Sequence, residues 1–414
     1  MSQTIRSHQY TNGLVLVAET MDWVESAAFT LVLPAGCARD PQDQLGLANF
    51  VCEMVQRGCG DLDSRRFVEA LDRLGADRSA SVSQAHTSFG AAMLAENLLD
   101  VLAIYRDLIC HPLLPASQLE EGRLVCLQEI MSLEDDLAQR TMQELRRQTY
   151  GDPWGRSSQG CESHIEQVQP DDIQRFYAQN YVPSGAILSV AGKIEWEPLR
   201  ERVGELFDEW TSVSQPDIPD VIPSHTMTHI PYDSSQTQIG IAYPTVPYRH
   251  NDYFQSRGAV GVLSDGMSSR LFTEVRELRG LCYSVFASYH SFRDHARVLC
   301  YSGTSTERSQ ETLDVMIAEL QKLTAGITEQ ELNRLKARVK AASIMHQESS
   351  PSRSGAMAAD WFHLGRARTL DEVHAFIDGL TCTSINGFLA ANPPTDFSIV
   401  TLGEKPLENP LAVS

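Results

Sequence analysis

The chain has no apolar run approaching the ~18 residues that a membrane-crossing helix needs. It has no Cys-x-x-Cys pair, no H-x-x-E-H, no glycine-rich phosphate loop and no G-x-S-x-G elbow. These absences exclude a helical membrane span, a paired-cysteine zinc site, an autonomous zinc hydrolase of the H-x-x-E-H type, a phosphate-loop nucleotide site and an elbow serine hydrolase. Basic residues are scarce beside acidic ones, 34 against 54, and the formal net charge is −20. That balance disfavours nucleic acid and anionic membrane surfaces as partners. Nine cysteines, an odd number, are scattered along the chain and read as reduced thiols. The first residues, Met1-Ser2-Gln3-Thr4-Ile5-Arg6, lack the basic and apolar segments of a signal peptide, so a cytoplasmic protein is expected.

What is present is a chain of 414 residues with 42% apolar content, too long for one ordinary core. Its elements come in the same order twice. The first half runs through strands near 14–18 and 27–33, helices near 45–57 and 63–74, a strand near 78–92, and helices near 95–110 and 117–148. It closes with a helix from Pro170, the apolar strand Ala186–Ala191 ending in Gly192, and a helix near 196–210. The second half has a strand at 238–243, helices near 252–264 and 268–279, and strands near 281–290 and 297–303. Helices near 308–325, 328–348, 370–378 and 383–391 follow, and the strand Phe397–Leu402 ends in Gly403. Between the halves, Pro216, Pro219 and Pro223 break helix and strand alike. Strand runs followed by helix runs argue for an α+β fold. We expect two homologous α/β-roll domains, antiparallel-rich sheets packed with helices: residues 1–213, a proline-rich linker at 214–224, and residues 225–414.

The most informative stretch is Gly46-Leu47-Ala48-Asn49-Phe50-Val51-Cys52-Glu53-Met54. Leu47, Phe50, Val51, Met54 and Val55 make the apolar stripe of an amphipathic helix. Asn49, Cys52 and Glu53 occupy the adjoining face. Further on, Ser268 is placed to cap a helix carrying Leu271, Phe272, Val275 and Leu278, which Gly280 would stop. Leu281, Tyr283, Val285, Ala287 and Tyr289 then alternate as a strand. This puts Arg276 in the last helical turns and Tyr283 at the start of the strand.

These segments resemble the pitrilysin/insulinase-type zinc peptidases over nearly the whole chain, most closely the short two-domain subunits of processing-peptidase type. Further segments carry the resemblance: Ala35-Gly36-Cys37-Ala38-Arg39-Asp40-Pro41, Gly75–Ser83, Leu127-Gln128-Glu129-Ile130, Asp152-Pro153-Trp154-Gly155, Met267–Phe272 and Arg279–Tyr283. In that family the first helix reads G-x-A-H-F-x-E-H-M, with two zinc-binding histidines and a glutamate general base. Here those positions hold Asn49, Glu53 and Cys52. Glu129 lies 76 residues beyond Glu53 and matches the third zinc ligand. Gly122, Ser79 and Ala85 stand where family members often carry Glu, a substrate-contacting Asn and Glu.

The resemblance therefore implies vestigial metal-site positions at Asn49, Cys52, Glu53 and Glu129, with no catalytic residue and no metal in the lone chain. An all-oxygen set of Asn49, Glu53 and Glu129 would suit magnesium or calcium better than zinc. Cys52 as a nucleophile would need a base, for which His86 on the adjacent predicted strand is the candidate, whereas a helix-packing thiol needs none. Arg276 and Tyr283 match the family's substrate-binding pair, which positions a substrate carbonyl and stabilises charge on the scissile oxygen. From composition alone they read as a surface arginine and a core tyrosine.

The resemblance implies a non-catalytic, substrate-positioning subunit of a heterodimeric zinc metalloendopeptidase. Its partner would be a homologous subunit bearing H-x-x-E-H and the zinc, and its substrates extended peptides, with residues 79–83 a candidate sheet edge to receive them. A homodimer of the lone chain stays open. The alternative is a structural or peptide-binding scaffold with no peptidase role.

Overall fold

The computed structural model describes residues 3–219 and 226–411. Two compact units divide the chain. One comprises Met1–Met131, Arg156–Asp220 and Ser343–Leu370, and the other Ser132–Gly155, Val221–Ala342 and Asp371–Ser414. Part of the expected linker (220–224) lies outside the described residues, as does His225. The linker's start is tied down within the first unit, where Gln215 donates to the Pro34 carbonyl and to Asn180 Oδ1.

Alternation along the strands builds each unit in layers. In the first unit the sheet order is Thr4–Gln9, Val15–Thr20, Ile187–Gly192, Ser26–Leu33, Thr87–Leu94, Asp77–Val82. Leu16, Ala18, Phe29 and Leu31 point into the main core. Their neighbours Val15, Val17 and Val32 point to the opposite face, where Met357 and Ala358 of the helix Ser350–Leu364 cover them. In the second unit the order is Cys282–Ser291, Ala296–Ser305, Gln236–Thr245, Ser398–Gly403, Met227–Pro231. Ile239, Ile241 and Tyr243 face the main core. Ala242, Leu299, Tyr301 and Val400 face Met142 and Leu145 of the helix Leu137–Tyr150.

The duplication read from the sequence is visible in the strand pairing. In each unit the last strand inserts between the first long strands, parallel to one and antiparallel to the other. Ile187–Gly192 does this beside Val15–Thr20 and Ser26–Leu33, and Ser398–Gly403 beside Met227–Pro231 and Gln236–Thr245. The outermost strands Asp77–Val82 and Cys282–Ser291 are counterparts.

Several elements differ from the sequence reading, among them the strands Thr4–Gln9 and Met227–Pro231, which it did not include. The strand expected over 78–92 is a hairpin, folded at Ser83–His86 by mutual Ser83/His86 backbone and hydroxyl bonds. The helix expected over 117–148 is two helices. Asp136 breaks it, because its carboxylate accepts from the N–H groups of Ala138 (3.0 Å) and Gln139 (3.1 Å) and starts the second helix. The helix Ser350–Leu364 was not foreseen, and its first turns hold Ser350, Pro351, Ser352, Ser354 and Gly355. Its small polar residues lie on the sheet. Ser350 and Ser354 hydroxyls meet Ser26 (3.2 Å) and Thr30 (3.0 Å), and buried Arg353 donates to buried Glu19 (2.9 Å). A buried pair of this kind fixes how the helix seats. No helix among the described residues is long and apolar enough to cross a membrane.

Candidate functional site

The helix Leu47–Val55 forms where the periodicity put it, with Leu47, Phe50, Val51, Met54 and Val55 buried. Its start is set by Gly46 at φ +97° and by the carboxylate of Asp40, which accepts from the N–H groups of Gly46 (2.7 Å) and Ala48 (2.8 Å). Burial pushes Asp40 up to about 7, while those two donors pull the other way.

The polar face of this helix is closed by internal partners. Asn49 Nδ2 donates to Glu129 Oε2 at 2.7 Å, so the helix Leu119–Asp135 does bring Glu129 to Asn49. Glu53 is held by Arg57 one turn on, at 2.8 and 3.1 Å. Cys52 is buried, and its thiol is pushed up to about 12 by burial, with Glu53 and Glu129 adding to the rise. Cys126, also buried, is raised for the same reasons. Among the described residues no group of three or more His, Cys, Asp and Glu stands where it could hold a metal ion.

This donor set does not fit zinc. An amide has replaced an imidazole, the nearby thiols are held as thiols, and one of the two carboxylates is already neutralised by a guanidinium. A cation held by oxygens would have to part Glu53 from Arg57 and Glu129 from the Asn49 amide. Gly122 fits the same picture. A Cβ there would stand 2.7 Å from Met54 Sδ and 3.1 Å from Phe50 Cε2, so a side chain at this position requires Met54 to shift.

The nucleophile reading of Cys52 fails on protonation, since a buried thiol raised to about 12 is not a thiolate near neutral pH. His86, its candidate base, lies in the hairpin turn rather than on a strand, and its ring packs on Phe362 at 5.2 Å. Burial, with His363 adding, lowers His86 to about 4. Ser79 lies on the outermost strand of its sheet, Asp77–Val82, whose side chains are largely exposed.

Arg276 and Tyr283 are built differently. The expected helix near 268–279 is a π-helical turn, Phe272–Glu277, in which the Leu278 N–H reaches back to the Thr273 carbonyl (2.9 Å). Gly280 at φ +58° ends it, with its N–H on the Arg276 carbonyl. Tyr283 follows in a β-bulge: Cys282 pairs with Thr304 and Ser284 with Gly303, leaving Tyr283 without a cross-strand partner. Bulges and π-turns both re-aim side chains, and both are frequent at functional sites. The two irregularities bring the pair together. The Arg276 guanidinium carbon stands 5.1 Å from the Tyr283 ring centroid and 4.8 Å from that of Phe272.

Among the described residues Arg276 forms no ion pair with its charged neighbours, which a solvated surface arginine does not need either. Glu274 is taken by Arg279 at 2.5 Å, and Arg270 by Glu331 at 2.7 Å. Among the described residues Arg276 makes no hydrogen bond or ion pair and is held by two aromatic faces alone. The core-tyrosine reading fails, because Tyr283 is 85% exposed. Sequence reasoning missed the contributions of Arg57 and Phe272. The i, i+4 spacings Glu53/Arg57 and Phe272/Arg276 were the available signals.

Two family descriptions match the chain, "Insulinase (Peptidase family M16)" over residues 15–160 and "Peptidase M16 inactive domain" over residues 167–339. An uncharacterized zinc protease of Bacillus subtilis is 25% identical over 404 residues, covering 96% of this chain and 98% of its own. One from Mycobacterium tuberculosis is 26% identical over 388 residues, covering 90% and 87%. In fold, the chain is similar to a peptidase M16 inactive domain from Pseudomonas fluorescens (TM-score 0.90, 19% identity, 98% and 99% covered). It is also similar to a protease from Helicobacter pylori (TM-score 0.88, 19% identity, 97% and 99% covered) and to a chain of complex III2 from Candida albicans (TM-score 0.84, 15% identity, 97% and 96% covered).

Proposed function

Because the chain belongs to the pitrilysin/insulinase-type family of peptidases (M16), we propose that it is a non-catalytic, substrate-positioning subunit. It acts beside a homologous partner that carries the H-x-x-E-H helix. The observation that carries this reading is the contrast between a metal-site face closed by internal pairs and an Arg276/Tyr283 pair left open. Zinc on the partner would supply the activated water. On this chain, the free N–H groups of Arg276 would hold a backbone carbonyl of an extended peptide. The exposed Tyr283 hydroxyl would donate to the oxygen of the scissile carbonyl as charge develops there. The outer strand Asp77–Val82 offers unpaired backbone groups to which an extended peptide could add.

The alternative is a scaffold with no peptidase role, supported by the same closed face. It assigns no purpose to an unpaired arginine stacked on an exposed tyrosine. The test is to purify the chain alone and measure bound metal and peptidase activity, then repeat with a co-purifying homologue bearing H-x-x-E-H. We expect an inactive lone chain without stoichiometric zinc and an active complex. Stoichiometric zinc with activity in the lone chain would overturn the partner reading.

A further inference from the structure

Arg276 has a second aromatic contact that the substrate-binding pair does not account for. Phe272 lies one turn before Arg276 in the π-helical segment, and its ring centroid is the nearer of the two, 4.8 Å against 5.1 Å for Tyr283. A guanidinium with no counter-charge would ordinarily sample many rotamers in solvent. Here the cation lies near the faces of two rings, which attract it without occupying any of its N–H donors. An ion pair would hold Arg276 equally well but would use up the donors. The π-turn matters because its widened hydrogen-bonding pattern sets the stacking of Phe272 on Arg276, and the bulge at Tyr283 supplies the facing ring. The acidic neighbour Glu274 is bound to Arg279, and Glu277 makes no ion pair with Arg276 among the described residues.

We propose that Phe272 is a positioning residue: it holds the Arg276 guanidinium against Tyr283 with every N–H free, so that the two act as one preformed carbonyl clamp. This rests on the reading of Arg276 and Tyr283 as substrate-contacting groups, but the hold itself can be measured without it. The experiment uses the full chain with labelled arginine. In the wild type, the Arg276 side-chain protons should show upfield ring-current shifts. Phe272→Leu, which keeps apolar bulk but removes the aromatic face, should move those signals toward free-arginine values. Phe272→Tyr should restore them. In the complex with the zinc-bearing homologue, Phe272→Leu should lower kcat/KM for an extended peptide by about fivefold, the size expected for losing one cation–π face. Phe272→Tyr should recover it.

An Arg276 signal unchanged by Phe272→Leu overturns the positioning role. Loss of the shift without rescue by Phe272→Tyr also overturns it, since the effect would then be one of packing. Shifts that respond as expected, together with an Arg276→Ala variant of full peptide turnover, leave the hold of Phe272 on Arg276 standing and remove the substrate-contact reading instead.

Discussion

The helix Leu47–Val55 and the segment from Phe272 to Tyr283 treat polar side chains in opposite ways. On the helix, Asn49 is bonded to Glu129, Glu53 to Arg57, and Cys52 is buried as a protonated thiol. Each of these partners lies within the same unit. In the other segment a π-turn and a bulge interrupt regular structure, and the result is an arginine without a counter-charge beside an exposed tyrosine. Irregular backbone and unpaired charge both cost stability, and they persist where the surrounding fold over-determines them. On the proposed reading, loss of chemistry would show as closure, and retained chemistry as local irregularity with open donors.

The comparison can be broken by mutation. The largest expected effect is on turnover. In a complex with the zinc-bearing homologue, Tyr283→Phe should lower the initial rate on an extended peptide by about 10²-fold, as for loss of one oxyanion donor. Glu129→Gln in the same assay should leave it within about twofold. Equal losses in both variants would erase the distinction between the regions.

Next in size is packing at the closed face. Gly122→Glu must place a carboxylate against Met54 and Phe50, and should cost about 2–4 kcal/mol in urea unfolding. A variant as stable as wild type would mean that this face can open. Asn49→Ala removes the 2.7 Å bond to Glu129 and should cost about 1 kcal/mol, with turnover in the complex unchanged.

The smallest effect concerns pH. Partial burial pushes Glu331 up, but bonds from Arg270 and Thr328 outweigh it and bring Glu331 down to about 2. A carboxylate depressed in the folded state stabilises above its unfolded value near 4.5, and the contribution fades as pH falls from there toward 2. Arg270 stands just before the π-turn, so this pair anchors the segment that carries Arg276. Glu331→Gln should flatten the fall in unfolding free energy between about pH 4.5 and 2. An unaltered slope would exclude the pair as its source.

Much of the fold was legible because burial leaves a periodic trace. The stripe Leu47/Phe50/Val51/Met54/Val55 and the apolar strands ending in Gly192 and Gly403 are local patterns, and each forms where its period places it. The helix Ser350–Leu364 left a weaker trace, because the first turns it lays on its sheet are Ser350, Arg353 and Ser354, and apolar contact begins only at Met357 and Ala358. Its stability depends on residues more than 300 positions away, such as Glu19 and Thr30. The break at Asp136 was visible only as a residue type, since a capping aspartate and a surface aspartate are the same letter.

The candidate site divides along the same line. The sequence by itself determined which side chains are available: asparagine, cysteine and glutamate where a zinc peptidase needs histidines and a base, and an arginine and a tyrosine seven residues apart. Residue identity is enough for that, because an amide cannot take the part of an imidazole at zinc whatever surrounds it. Only the tertiary structure decided that Arg57 takes up Glu53, that Gly122 packs against Met54, and that Arg276 lies against two rings with no hydrogen bond among the described residues. Those outcomes depend on competition among neighbours for the same charge and the same space, and such competition is resolved only when distant segments meet.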